Sequence, residues 1–156
     1  MVHLGQNERN YHIFYQVLAA IEAGDNRLSK YALESVDPTH FKILGNGPFD
    51  IQDFNGEPIN EAQHFEQTIL AMNRSGFSYD EIENVIDVII AVLYLGNISI
   101  NGHDDDRMAS IDSNDDITKA AKLLKVEPDA LKKCLLKKTV KYPGQVIEVD
   151  HSQAEA

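Results

Sequence analysis

The sequence predicts a mainly α-helical protein with a few short β-strands, on two observations. Apolar residues recur every three or four positions along most of its length, which is the spacing of one face of an α-helix. Only short stretches, near residues 97–100 and 139–149, alternate as strands do. With 156 residues, 43% of them apolar and 25% charged, the chain has the composition of one globular domain.

The N-terminal part predicts one long helix and one short helix. The long helix shows an apolar stripe made of Tyr11, Phe14, Tyr15, Leu18 and Ile21. Asn7 is expected to cap its start and Gly24 to end it. A short helix is expected at residues 28–33. It stops before Pro38, since proline disfavours the helical conformation in the residue that precedes it.

The middle of the chain predicts an irregular segment and a helix. Residues 37–58 hold several prolines and glycines and are expected to be irregular, with a possible short strand at 41–44. The helix is predicted at roughly residues 60–75, where Phe65 and Ile69 lie on its apolar face, and Gly76 ends it.

A second helix is predicted to begin at a capping box. Ser78 and Glu81 have the spacing at which the hydroxyl and the carboxylate each accept a hydrogen bond from the other residue's backbone amide. The helix extends to Gly96, and residues 88–95 are apolar on every side. That pattern predicts a helix buried all round, at the centre of the core.

The last third predicts short strands and two more helices. A strand is expected at 97–100, a polar loop at 103–110 and a helix at about 115–125. The next helix begins at Pro128, which a first helical turn tolerates. Its inward side chains are expected to be Ala130, Leu131, Cys134 and Leu135.

The final predicted element is a β-hairpin or an extended loop. Residues 139–142 and 145–149 have strand-like composition and flank Pro143 and Gly144, a pair that favours a turn.

Charge is distributed unevenly along the chain. The net charge is −11, and residues 1–116 carry 20 acidic and 6 basic side chains. Residues 117–142 carry eight lysines against Glu127 and Asp129. The negative field repels nucleic acids and anionic membranes, so neither is expected as a partner. An acidic partner would have to meet the lysine-rich segment.

The cysteine content indicates a reducing compartment. Cys134 is the sole cysteine and cannot form an internal disulfide; its leucine neighbours predict a half-buried structural thiol. The first residues do not read as a secretory leader, and the longest apolar run, 88–95, is far shorter than a membrane span. A cytoplasmic location is therefore expected.

The sequence contains no motif for catalysis, nucleotide binding or metal binding. A phosphate loop needs a glycine followed by lysine, and no glycine here is followed by lysine. Residues 112–116 resemble the start of a calcium loop, but Ile117 and Leu123 stand where that loop needs glycine and glutamate. No two of the six histidines have the four-residue spacing of ligands on one helix. Hence no catalytic, nucleotide or metal residues and no cofactor are predicted, and the chain alone is not expected to be an enzyme.

The lysines near the predicted hairpin have two interpretations. Lys137, Lys138 and Lys141, with Tyr142 and residues 146–149, would form a protruding cationic loop that docks on an acidic protein surface. The alternative is a lysine-rich face that is only solvated.

Several segments occur in the same order as in one protein family. They are 8–16 (ERNYHIFYQ), 76–78 (GFS) with Glu81, 95–98 (LGNI), 120–124 (AAKLL) followed by Leu131 and Leu135, and 153–154 (QA). In this order the chain resembles a piece of a myosin motor domain, over about residues 4–156.

The resemblance implies a fold and a place in a larger protein. The piece would be much of the upper fifty-kilodalton subdomain of an α/β P-loop motor fold, between the first switch and the relay helix. The phosphate loop and both switches of the family would lie outside residues 1–156. The resemblance thus implies a parent that is an actin-activated ATPase using Mg-ATP in the cytoplasmic actin cytoskeleton. Its partners would be the actin filament and the remaining subdomains of the motor.

The resemblance also identifies a candidate site. Residues 137–149 look like the cardiomyopathy loop, a surface element that contacts actin in this family. Lys137, Lys138, Lys141 and Tyr142 are then the candidate actin contacts. A second hypothesis is a free-standing cytosolic helical adaptor that binds an acidic protein through the same lysines.

Overall fold

The computed structural model describes residues 8–31, 33–45, 47–48, 51–102, 109–111 and 115–151. The chain forms two compact units, Met1–Gly96 and Asn97–Ala156. In the described residues the first unit is helical, and the second combines two helices with two antiparallel hairpins. This agrees with the predicted mainly α class.

The first unit contains three α-helices and three single-turn 3₁₀ helices in its described part. The α-helices are α1 (His12–Glu22), α2 (Glu61–Arg74) and α3 (Tyr79–Asn97). The 3₁₀ helices are Asn26–Leu28, Pro38–His40 and Lys42–Leu44. Helix α1 packs against α2, so residues far apart in sequence share one core.

One apolar cluster of this unit joins α1, the 3₁₀ segment and α3. Its buried members are Phe14, Tyr15, Leu18, Phe41, Leu44 and Leu93. Gly96 lies near this cluster at the end of α3. A Cβ atom added there would come within 2.8 Å of the Ile43 Cβ, so this close approach requires glycine.

The predicted starts of α2 and α3 are confirmed by their caps. The Asn60 side chain accepts a hydrogen bond from the Gln63 amide at 3.0 Å. Ser78 donates its amide to the Glu81 carboxylate at 2.8 Å, and Ser78 Oγ accepts from the Glu81 amide at 3.4 Å. The Ser78 amide and the Ser78 hydroxyl both donate hydrogen bonds to the Glu81 carboxylate, and these two bonds lower the pKa of Glu81.

The predicted stripe of the first helix is wrong at its start. Helix α1 begins at His12, and Tyr11 precedes it with 77% of its surface exposed. The Asn10 carboxamide accepts a hydrogen bond from the Tyr11 amide at 2.8 Å and donates one to the Ile43 carbonyl at 2.8 Å. These bonds hold the chain out of the helix, so Tyr11 faces solvent. The predicted cap, Asn7, lies outside the described residues.

Two predicted short elements have a different structure. The helix expected at 28–33 is wrong, because residues 28–31 and 33, the described part of this stretch, continue no further as a helix than the 3₁₀ turn Asn26–Leu28. Asp25 caps this turn by accepting the Arg27 amide. The strand expected at 41–44 is also wrong, since Lys42–Leu44 is a 3₁₀ helix. Both Phe41 and Leu44 are buried, and a three-residue turn places both on the same side, whereas a strand would place them on opposite faces.

Helix α3 is central but not buried all round, contrary to the prediction. Ile90, Ala91 and Leu93 are fully buried, whereas Val88 is 49% exposed. One side of α3 is therefore exposed to solvent, although the residues on that side are apolar.

The second unit begins with a short two-stranded ladder and continues with two helices. Strand β1 (Ile100–Asn101) pairs antiparallel with β2 (Ser110–Ile111). Most of the predicted polar loop between them, and residues 112–114, lie outside the described residues. Helix α4 (Asp115–Leu123) buries Ile117, Ala120 and Ala121. Helix α5 (Pro128–Leu136) begins at its proline, as predicted.

The inward face of α5 differs from the prediction. Cys134 and Ala130 are exposed, whereas Leu131, Leu135 and Leu136 are half-buried. The prediction of a half-buried thiol is therefore wrong, because the helix is oriented by its leucines.

Candidate functional site

The lysine-rich segment ends in a regular β-hairpin. Strand β3 (Lys137–Tyr142) pairs antiparallel with β4 (Gln145–Asp150), from Lys137 opposite Asp150 to Tyr142 opposite Gln145. Only Pro143 and Gly144 lie outside the ladder, and Gly144 has φ +85°. Proline followed by a glycine of positive φ is the signature of a type II turn. The predicted hairpin is thus confirmed.

The hairpin has two chemically different faces. Side chains alternate along a strand, and directly paired residues lie on the same side. The charged face consists of Lys137, Thr139, Lys141, Val146, Glu148 and Asp150. The apolar face consists of Lys138, Val140, Tyr142, Gln145, Ile147 and Val149.

Carboxylates of β4 compensate part of the positive charge. Lys137 Nζ lies 3.2 Å from Asp150 Oδ1 across the ladder, and Lys133 Nζ of α5 lies 2.5 Å from Glu148 Oε1. All four side chains are roughly half exposed, so each pair contributes little to stability. Because these acidic groups neutralise the lysines at the base of the hairpin, the uncompensated positive charge lies toward the tip. There Lys141 is paired across the ladder with Val146 rather than with an acidic residue.

Apolar side chains are exposed next to the turn. Tyr142 is 54% exposed, Val146 65% and Ile147 40%. Exposed aromatic and aliphatic groups on a protruding element are typical of protein-interaction surfaces.

The four predicted site residues lie on one strand but not on one face. Lys137 and Lys141 belong to the charged face, whereas Lys138 and Tyr142 belong to the apolar face. Lys141 and Tyr142 are exposed near the tip, Lys138 is half-buried, and Lys137 is paired with Asp150. Only Lys141 and Tyr142 therefore combine exposure with a position beside the turn.

Val146 and Ile147 were expected in the docking loop as part of residues 146–149 but were not among the four candidate contacts. Their signal was nevertheless present in the sequence. A two-residue turn at Pro143 and Gly144 fixes every pairing of the ladder, and alternation then places Ile147 beside Tyr142 on the apolar face.

The end of the hairpin is fastened to the rest of the second unit by backbone hydrogen bonds. The His151 amide donates to the Leu136 carbonyl at 2.8 Å, and the His151 carbonyl accepts from the Ala109 amide at 3.0 Å. Residue 151 thus joins the base of the hairpin to the end of α5 and to the segment before β2.

The described part of the chain contains neither a metal-binding cluster nor a helix that could span a membrane. No group of three histidine, cysteine or acidic side chains is placed there to hold a metal ion. None of its helices combines the length and the apolar content that crossing a bilayer requires.

Comparison with known proteins shows the family. Residues 1–156 match the family model described as the myosin head (motor domain). The chain belongs to the myosin motor-domain family. It is 32% identical to unconventional myosin ID of Drosophila melanogaster over 149 residues, which cover 96% of this chain and 14% of that protein. It is 36% identical to unconventional myosin-Ih of Mus musculus over 135 residues, covering 86% of this chain and 13% of that protein.

A shorter match involves Myosin-1 of Saccharomyces cerevisiae, 38% identical over 98 residues that cover 63% of this chain and 5% of that protein. The chain thus spans only a small part of the length of these myosins. It corresponds to a segment of a motor domain.

Proposed function

We propose that the chain is a structural and actin-interacting part of a myosin motor. The parent would be an actin-activated Mg-ATPase that produces movement along actin filaments in the cytoplasm. The partners are then the actin filament and the remaining subdomains of the motor. Membership of the motor-domain family supports this proposal.

The observation that carries the actin contact is the tip of the β3–β4 hairpin. Lys141 and Tyr142 are exposed on opposite faces of the hairpin where β3 enters the turn, and Val146 and Ile147 are exposed where β4 leaves it. A short ladder holds these four side chains in fixed order, which reduces the entropy lost on docking.

The two kinds of side chain have different roles in the proposed contact. The lysines attract the acidic surface of the filament from a distance and raise the association rate. Tyr142 and Ile147 bury apolar area once the surfaces touch, which slows dissociation. One hairpin offers less area than a stable interface needs, so it acts together with other surfaces of the motor.

The proposal assigns ATP hydrolysis to parts of the parent outside this chain. No glycine of the sequence precedes a lysine, as a phosphate loop requires. The role of the chain is to hold the hairpin on a helical core and to transmit its position.

Filament sedimentation with the intact parent motor tests the contact. Lys138→Glu together with Lys141→Glu is expected to raise the Kd for actin by about tenfold, which is about 1.4 kcal/mol. The reason is that both substitutions place like charges against an acidic surface.

The matched control reverses Lys122, in the last turn of α4, and Lys125, in the turn that follows this helix, both outside the hairpin. It changes the net charge equally and is expected to shift the Kd less than about twofold. Equal shifts in both variants, or no shift in the hairpin variant, would contradict a local contact. Thermal unfolding of each variant establishes that the fold is retained.

A further inference from the structure

A second exposed feature lies in the first unit, far from the hairpin in sequence. Residues 51–59 fold back on themselves between the 3₁₀ segment and α2. The Ile59 amide donates to the Ile51 carbonyl at 2.9 Å, and Gln52 forms an antiparallel bridge with Pro58. The base of this turn is therefore hydrogen-bonded and has a defined geometry.

The tip of the turn is fixed by one carboxylate. Asp53 Oδ1 accepts the amides of Asn55 at 2.8 Å and Glu57 at 3.0 Å, and the Asp53 amide donates to the Glu57 carbonyl at 2.8 Å. Gly56 has φ +84°, a conformation that side chains rarely adopt. Four residues are thus held in one arrangement.

This ordered tip presents Phe54 to solvent with 97% of its surface exposed. Single exposed apolar residues are common on proteins. What sets Phe54 apart is that the hydrogen-bonded turn fixes the backbone from which this almost fully exposed ring projects, which lowers the entropy lost when a partner docks on it.

The base of the turn also forms one wall of a cleft of about 710 Å³. Its described lining is Ala19, Glu22, Ala23, Ile51, Gln52, Pro58, Ile59, Asn60, Glu61 and Ala62. Half-buried aliphatic side chains, such as Ile51 and Ile59, lie among them. The cleft is wide enough for an apolar side chain of another segment.

The electrostatics of this region favour a cationic occupant. Glu22 and Glu57 are exposed, and neither forms an ion pair within the described part of the chain. Helix α1 ends at the cleft with no basic residue in its last turn, so its negative dipole end adds to the field. Glu61, which also lines the cleft, is already paired with Arg9 at 2.8 Å. No lysine or arginine is among the described lining residues.

We propose that Phe54 and this cleft, together the Phe54 seat, hold a basic segment of the parent motor that lies outside residues 1–156. The segment would place an apolar side chain in the cleft, pack against Phe54 at the tip of the turn and bring a lysine to Glu22 and Glu57. The inference rests on the proposed function, since it requires a longer parent.

Two arguments favour this occupant over a second copy of the chain. The chain spans 14% or less of each of the three myosins compared above, so most of the surface able to cover the seat belongs to the same polypeptide. A tethered segment also has a high effective concentration. Two copies would bring like-charged seats together in a chain of net charge −11, which opposes pairing.

Zero-length carbodiimide cross-linking of the intact parent motor tests the proposal. The reagent joins carboxylates to amines that are already in contact. We expect Glu22 or Glu57 to be joined to a lysine outside residues 1–156, as read by mass spectrometry. Phe54→Ser should lower the yield at least fivefold, because it removes the apolar anchor but no charge.

Tyr79→Ser is the matched control, since Tyr79 is 79% exposed in the same unit and lies outside the seat. It should leave the yield unchanged. Because Phe54 makes almost no buried contact, its replacement should not alter the thermal unfolding temperature. A lower unfolding temperature for Phe54→Ser would therefore also overturn the inference.

Mixing isotopically labelled and unlabelled motor distinguishes the sources of the lysine. Links within one polypeptide support the proposal. Mixed-isotope links, links to a different protein, or the absence of any link to the seat would each overturn it. Actin sedimentation is a separate readout, so failure of the hairpin contact and failure of the seat are distinguishable.

Discussion

Asp87 is a charged side chain buried in the first unit, and its neighbours explain how it is tolerated. It is 7% exposed and accepts hydrogen bonds from the Tyr31 hydroxyl at 2.6 Å and the Lys30 ammonium at 2.9 Å. Lys30 also reaches Glu83 at 2.5 Å. Burial raises the pKa of Tyr31, and the hydrogen bond to Asp87 raises it further, so the phenol remains a donor.

Replacing Asp87 by alanine is expected to destabilise the fold by about 2–3 kcal/mol. The substitution leaves the Tyr31 hydroxyl without its acceptor and removes the more buried partner of Lys30. Urea unfolding of the chain measures the change.

The control for this prediction is Glu83→Ala, which removes the exposed partner of the same lysine. It should cost less than about 1 kcal/mol, because ion pairs in contact with solvent contribute little. Similar losses of unfolding free energy in both variants would show that the contribution of Asp87 to stability does not depend on its burial.

Single residues show where sequence patterns are informative. Phe65 and Ile69 are buried as predicted, because helical spacing alone decides which side of α2 is apolar. Tyr11 and Val88 are exposed although their spacing is equally apolar. Spacing identifies a face, but it does not say whether another element covers it.

Secondary-structure elements were predictable where they carried their own start and stop signals. Asn60, Ser78 and Pro128 mark the beginnings of α2, α3 and α5. The first turn of a helix leaves backbone amides without a partner. The Asn60 and Ser78 side chains each accept a hydrogen bond from such an amide, whereas proline has no amide proton. Asp25 and Asp37 cap two of the single-turn 3₁₀ helices between α1 and α2, so a start signal alone did not distinguish these turns from longer helices. Buried contacts such as those of Phe41 and Leu44 determine them instead.

Gly144→Ala is expected to loosen the hairpin specifically. Its φ of +85° costs a side-chain-bearing residue about 1 kcal/mol, and the turn holds the whole ladder in register. Amide hydrogen exchange of β3 and β4 should become severalfold faster.

Gly24→Ala provides the comparison, because Gly24 has a similar φ of +78° and no heavy atom within 4 Å of an added Cβ. The same strain then falls outside the hairpin, and exchange in β3 and β4 should not change. Faster exchange there in both variants would mean that the turn has no special influence on the ladder.

At the scale of the whole molecule, charge separation predicts how actin binding depends on salt. An acidic chain with one lysine-rich segment should bind an acidic filament less tightly as ionic strength rises, since screening shortens the reach of the lysines. Reversal of Lys138 and Lys141 should flatten this dependence.

Tyr142→Ala should weaken actin binding by about fivefold while the salt dependence stays as in the wild type. The lost interaction is apolar and worth about 1 kcal/mol, so screening does not affect it. Sedimentation at three ionic strengths separates the two contributions. An unchanged Kd for Tyr142→Ala would indicate that the hairpin acts by charge alone.

The candidate site was predictable as a segment but not as a surface. The order of motifs identified residues 137–149, and composition identified the lysines. The neutralising contacts of Lys133 and Lys137 with Glu148 and Asp150 depend on strand register and on the position of α5. Composition carries no information on either.

The two-residue turn makes the hairpin sensitive to the parity of insertions. One residue added within β4 would exchange the positions of Ile147 and Glu148 relative to β3, so that carboxylates would stand beside Tyr142 and aliphatic groups beside Lys141. Two added residues would restore the alternation. Insertions and deletions in this hairpin among motors should therefore comprise an even number of residues. An odd number would place charged side chains on the apolar face and apolar side chains on the charged face.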